Sequence, residues 1–131
     1  MRHIVNAAVI RDGCLLLVKE KGRAVLTLPG GEMEPGETEE ECLVRELDEE
    51  LVGVGHRKVF RYFQRVEGVS PGQKDVISVS VYLAEFKGHI GAGPDVDNVI
   101  WAFNPMLYPL SDVTWKIVNL LLREQYLHPL P

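Results

Sequence analysis

Residues 30–54, GGEMEPGETEEECLVRELDEELVGV, hold ten of the nineteen acidic side chains of this 131-residue chain and specify its most definite local structure. Thr38 stands directly before Glu39, Glu40 and Glu41, which makes it an N-cap with Glu41 in the reciprocal capping-box position. An acidic first turn also suits the positive end of a helix. At about 100° per residue, Leu43, Val44, Leu47 and Leu51 fall within one arc, so the spacing predicts a helix from Glu39 to Leu51 with a single apolar stripe. Glu46, Glu49 and Glu50 occupy a separate arc, and Arg45 lies outside the stripe. A helix of this kind has to bury that stripe against another element.

The rest of the chain offers mainly strands. HIVNAAVI (3–10) and CLLLVK (14–19) read as a hairpin turning at Asp12-Gly13, and AVLTL (24–28) as a short strand stopped by Pro29. Gly30 to Gly36 reads as a loop. Further strands are expected at 56–65, 76–86 and 99–103, separated by the turn-rich segments EGVSPGQKD and GHIGAGPDVDN. A final helix is expected over 111–127, capped by Ser111 or Asp112, with Val113, Ile117, Leu120, Leu121 and Leu127 on its inner face. Strands with two amphipathic helices predict a mixed α/β (α+β) fold, a mixed β-sheet between helices on its two faces. With no repeat, linker or low-complexity tract, residues 1–131 read as one domain.

Apolar residues make up 46% of the chain and charged ones 25%, as in a soluble globular protein rather than a disordered one. A net charge of −5 opposes binding to nucleic acid or an anionic membrane, although His56, Arg57, Lys58, Arg61 and Arg65 form a modest basic stretch. Cys14 and Cys42 lack the spacing of a zinc site and read as reduced thiols, which with no leader-like or membrane-spanning run leads to the expectation of a cytoplasmic protein. A homodimer stays open.

The chemistry lies in the acidic segment. Carboxylates at i, i+3 and i+4 lie close together on a helix, repel when ionised, and raise one another's pKa values. A hard cation such as Mg²⁺ relieves that repulsion and is shared between carboxylates, water and substrate phosphates. The glycines of the entry loop permit close approach, so a backbone carbonyl there is a further candidate ligand.

Gly31, five residues, Glu37, seven residues, Arg45-Glu46-Leu47, one residue, Glu49-Glu50 resembles the signature of the Nudix hydrolases, and the preceding LPGG and the PGET at 35–38 are also typical. The likeness departs at one place: the glycine that follows the final glutamates stands one position late, at Gly53, so the helix either continues through Val52 or leaves Val52 strained at the exit. The resemblance implies a Nudix-type α/β/α sandwich in a compact, MutT-like member. It implies Mg²⁺ (or Mn²⁺) held by Glu46, Glu49 and Glu50 with the Gly30 carbonyl, Glu37 approaching from the loop, and Arg45 clamping Glu37 to the helix. Asp95 and Asp97 are candidates for a base or extra ligand outside the signature, and Phe60, Arg61, Tyr62 and Trp101 for contacts to substrate. The implied reaction is attack of water on a nucleoside diphosphate-linked small molecule, with nucleoside triphosphates the default substrate. The competing reading is a Nudix-like module that binds a nucleotide or a protein without chemistry.

Overall fold

Strand β1 (Arg2–Arg11) organises the sheet because both of its edges are bonded. Along one edge it runs parallel to β6 (Val76–Phe86), from Arg2 opposite Ile77 to Val9 opposite Ala84. Along the other, Ile4 to Asn6 pair with the short β3 (Gly30–Glu32), and the end of the strand turns back into β2 (Cys14–Glu20). Asp12 and Gly13 both have positive φ (52° and 76°), the backbone of a two-residue turn whose twist matches that of its strands. Outside this centre, β5 (Lys58–Val69) lies antiparallel to β6, and β8 (Val96–Ala102) antiparallel to β2. A separate ribbon joins β4 (Leu51–Val52) to β7 (Gly91–Ala92). The computed structural model describes residues 1–55 and 58–128, so His56, Arg57 and the expected strand start at 56 lie outside the described residues.

Each face of the sheet carries a helix. Val5, Ala7, Val9, Leu16 and Val18 pack with Leu43 and Leu47 of α1 (Glu39–Glu50), while Ala8, Leu15, Leu17 and Val79 pack with Val113, Ile117 and Leu121 of α2 (Asp112–Arg123). Strand β2 is therefore buried on both faces, which is why it reads as a continuous apolar run and not as an alternation. This is the mixed sheet between helices that the sequence predicts. Glu39 fastens the first turn of α1 to the sheet, accepting from Ser80 Oγ (2.6 Å) and Tyr82 Oη (2.7 Å) and pairing with His3 Nε2 (2.7 Å).

The caps follow the sequence. Thr38 Oγ1 accepts from the Glu41 N–H at 3.1 Å while Glu41 Oε1 accepts from the Thr38 N–H at 2.8 Å, and Ser111 Oγ caps α2 through the Thr114 N–H. Several boundaries differ. Residues 24–28 make isolated bridges, Thr27 to Val18 and Leu26 to Leu110, in place of a strand, because they cross between elements and do not lie along one. The expected loop at Gly30 instead begins β3: a Cβ on Gly30 (φ 143°) would lie 2.1 Å from the Val5 carbonyl oxygen, so only glycine lets the chain come close enough to pair there. Strand β5 runs on to Val69, through residues whose glycine suggested a turn, because β6 supplies partners as far as Val76. On α1, Val44 is half-exposed and Cys42 takes the inward place. The helix stops at Glu50, Leu51 and Val52 are extended in β4, and Gly53 turns the chain at φ 85°. The late glycine thus follows a two-residue strand, and Val52 is not strained.

Replacing Thr38 by Ala removes the acceptor for the Glu41 N–H and should destabilise the fold by about 1 kcal/mol. Urea melts should show a lowered midpoint with an unchanged slope; an unchanged midpoint would mean that the cap contributes nothing.

Candidate functional site

The last two turns of α1 pack across β3, and glycine decides how closely. A Cβ on Gly31 would sit 2.4 Å from the Glu46 carboxyl carbon, so the bare backbone provides the space in which that carboxylate lies. One residue earlier, the Gly30 N–H donates to Glu50 Oε1 at 2.7 Å. Glu50 is only 7% exposed. Helical geometry places Glu46 and Glu50 about 40° apart, both toward β3. Glu49 diverges to the outside, its side chain 58% exposed and 3.5 Å from Arg45 Nη1.

Arg45 joins loop to helix. Its Nε donates to Glu37 Oε2 at 2.7 Å and its Nη2 to Glu37 Oε1 at 3.0 Å, a two-pronged contact. Nη1 donates to Glu46 Oε1 at 2.8 Å and Nη2 to the Glu32 carbonyl at 3.1 Å. The arginine therefore contacts Glu37 as the sequence led one to expect, and holds Glu46 as well.

The carboxylates feel opposite environments. The Arg45 guanidinium, helped by the Glu34 N–H, holds Glu37 down at about 2. Burial raises Glu46 against the pull of Arg45. Burial also pushes Glu50 up to about 9; the Gly30 N–H opposes the rise, and the charges of Glu20 and Glu46 add to it. Desolvation, more than the mutual repulsion expected from the sequence, is the main cause. Among the described residues, no three His, Cys, Asp or Glu side chains are gathered as a bound cation would require. Of the three glutamates expected to lie together, Glu46 and Glu50 face β3 and Glu49 points outward.

Glu20 escaped the sequence reading. It ends β2, where a bulge follows Lys19, and its carboxylate reaches Glu50 and Glu46. A signal was present: Leu16 and Val18 face α1, and Glu20 continues their parity as an acid where an apolar residue is expected.

The remaining candidates are dispersed. Asp97 pairs with Lys19 Nζ at 3.2 Å, and the Asp95 carbonyl accepts from the Lys21 N–H. Just before them, the Gly93 N–H donates to the Glu50 carbonyl at 2.7 Å, so this loop touches the end of α1. Arg61 donates to Tyr126 Oη at 3.0 Å, Tyr62 meets Tyr82 edge to face, Trp101 lies under the Arg11 guanidinium, and Phe60 packs partly buried on the α1 side. None of these four lines the cleft that opens beside Gly30 and Gly31. That cleft, of about 290 Å³, lies between the sheet and α2, lined by Ile4, Asn6, Leu28, Ile77 and Val113 with Arg23 and Lys74. Its residues come from four distant segments, which sequence spacing could not connect.

The NUDIX domain profile matches residues 1–119. A crystal structure of a MutT NUDIX hydrolase from Burkholderia pseudomallei is similar at a TM-score of 0.74 and 26% identity, covering 90% of this chain and 95% of that one. The solution structure of the E. coli ORF135 protein has a TM-score of 0.70 and 24% identity over 95% of this chain and 93% of that one. A structure from work on MutT of Aliivibrio salmonicida and Vibrio cholerae has a TM-score of 0.74 and 20% identity over 94% and 98% of the two chains. The last two likenesses show the fold alone. No curated protein matches the chain in sequence.

The raised Glu50 makes a linkage prediction. Between its ordinary value of 4.5 and about 9, the folded protein binds a proton that the unfolded chain does not, so this group's contribution to stability is full at low pH and is lost as pH rises through that window. In EDTA, Glu50→Gln should therefore melt increasingly above wild type from pH 5 to pH 9, each kcal/mol appearing as about 3–6 °C. A constant difference across that range would show that Glu50 does not titrate in the buried state.

Proposed function

The chain belongs to the NUDIX domain family, whose activity is in general that of a pyrophosphohydrolase, and on that footing we propose a Mg²⁺-dependent hydrolase of nucleoside diphosphate-linked small molecules, with nucleoside triphosphates as its main substrates. The observation that carries this reading is the buried Glu50 beside Glu46 and Glu20, an arrangement that is costly without a counter-charge. These are hard oxygen donors and fit Mg²⁺ or Mn²⁺ in kind. Glu46, Glu49 and Glu50 would hold the metal, with the Gly30 carbonyl beside them, once Glu49 turns inward from its exposed position. A bound divalent cation supplies Lewis acidity toward a phosphoryl oxygen and a lowered pKa for water.

In this reading Arg45 keeps Glu37 ionised and fixed over the helix, so that the loop carboxylate stays available as a proton acceptor or orienting group at neutral pH. Arg45 also neutralises part of the charge on Glu46, which lets the acidic cluster form before any cation arrives. Asp95 lies in the loop that touches the last turn of α1 and Asp97 at the start of β8, and either serves as the base or as a further ligand. We place all of this within one catalytic domain spanning 1–131, acting on nucleotides and not on nucleic acid.

A panel of nucleoside triphosphates, nucleotide sugars, dinucleoside polyphosphates and ADP-ribose should release phosphate or pyrophosphate (after phosphatase treatment where needed) with Mg²⁺ and not with EDTA. Failure on every member would overturn the proposal, and tight binding without turnover would favour the non-catalytic module. Substituting groups that merely orient metal ligands costs about 10–100-fold, so Glu46→Gln or Glu50→Gln should lose at least about a hundredfold in activity. A readout independent of turnover is proton release. Because Glu50 holds its proton at neutral pH, Mg²⁺ binding should release protons there, visible by calorimetry in buffers of different ionisation enthalpy. Binding without release would exclude Glu50 as a ligand.

A further inference from the structure

His3 touches both ends of the loop that carries Glu37. That loop, residues 33–38, leaves β3 at Glu32 and enters α1 at Glu39. At its start the Met33 N–H donates to the His3 carbonyl at 3.2 Å, just beyond Ile4 opposite Glu32. At its end His3 Nε2 lies 2.7 Å from Glu39 Oε2 and 3.2 Å from Ser80 Oγ. Burial works against the charge of Glu39, but the bonds from Ser80, Tyr82 and His3 together outweigh it and hold the carboxyl below its ordinary range. Glu39 therefore only accepts, and the hydrogen of the imidazole contact is on Nε2. The cap does not need this acid, because Thr38 and Glu41 complete it between themselves. Its donors instead tie the start of the helix to β1 and β6, where Ser80 is fully buried.

Between these anchors the loop is closed on itself. The Glu37 N–H donates to the Glu34 carbonyl at 3.1 Å, the Glu34 N–H donates to Glu37 Oε1 at 2.7 Å, and Gly36 makes the turn at φ 84°. Such a turn moves as a unit, so its orientation is decided where it is attached. Arg45 grips it from the helix, but through a long side chain whose rotamers can follow a displaced Glu37. We propose that His3 is a positioning residue: by holding Met33 and Glu39 to one point of β1, it fixes where Glu37 stands relative to Glu46. The inference rests on the hydrolase reading above for its kinetic consequence, and it assigns a role to a residue outside the signature. Strand β1 also pairs with Gly30, whose N–H holds Glu50, so one strand is the common reference for the loop acid and the helix acids. Where groups must converge, a displacement of about 1 Å costs up to about a hundredfold in rate.

The Glu34 amide reports the place of Glu37 without any turnover, because Glu37 Oε1 is its acceptor. In EDTA, that amide should exchange with solvent about tenfold faster in His3→Ala than in wild type. The Gly30 amide, bonded to Glu50, should keep its rate within about twofold, which separates a loosened loop from a loosened fold. His3→Gln, whose amide nitrogen offers Glu39 a donor, should restore most of the protection. Tyr82→Phe removes another donor to Glu39 while keeping the ring, and should move the Glu34 amide in the same direction. In the kinetic arm, on a nucleoside triphosphate that the wild type hydrolyses, His3→Ala should lower kcat about ten- to a hundredfold with KM within about threefold, and His3→Gln should recover most of the loss. An unchanged Glu34 amide in His3→Ala, or in Tyr82→Phe should the first variant fail to fold, would overturn the proposal. Equal acceleration at Glu34 and Gly30 would make His3 a residue of general stability and sink the idea. Should the wild type turn over no nucleotide while the Glu34 amide still responds, the positioning stands and the hydrolase reading falls.

Discussion

The hydrogen bond from the Gly30 N–H to Glu50 is the join on which the molecule turns. It links the last residue of α1 to the first of β3, and β3 is itself laid along β1, the strand bonded on both edges. Moving it would displace the helix end, the loop through Gly93 that bonds the Glu50 carbonyl, and the cleft lining beside Gly30 together. The same bond holds an acid in a place where it is unstable as an anion. The fold therefore favours this carboxylate neutral, whereas its proposed role as a cation ligand would need it ionised.

Arg45 resolves part of that conflict on the solvent side. It satisfies Glu37 and Glu46 at once, leaving Glu37 strongly acidic while Glu46 remains raised by burial. Neighbouring acids thus acquire different proton affinities from position alone, without any difference in residue type. Cys42, packed beneath them, is pushed up to about 11 by burial and by the surrounding carboxylates, so it stays a neutral thiol that fills space.

What could be read from the sequence was what depends on neighbours in the chain. The capping box at Thr38 and Glu41, the turn at Asp12-Gly13, strand 76–86 and the Arg45–Glu37 contact are set by short-range spacing, and all are present. What was misread depends on partners far away. Gly30–Glu32 looks like a loop until β1 offers it an edge, and the glycine near the end of β5 looks like a turn until β6 supplies a ladder. Helical spacing placed Glu46, Glu49 and Glu50 together but could not tell which would be buried, because β3 makes that distinction. The cleft beside β3 brings aliphatic, polar and charged side chains together from four segments with no recognisable pattern of spacing.

The parallel pairing of β1 with β6 has a kinetic consequence. The partners stand more than seventy residues apart, Arg2 opposite Ile77 and Val9 opposite Ala84, so the central ladder closes only after most of the chain is available. Long-range pairing of this kind slows folding, since loop entropy is lost before contacts return it. During synthesis the acidic helix and the β1–β2 hairpin can form early, but the cleft, which needs residues 70–79 and 111–114, cannot. A nascent chain would carry its cluster of carboxylates for some time before the neighbouring cleft exists, and that cleft would be among the last features of the molecule to form.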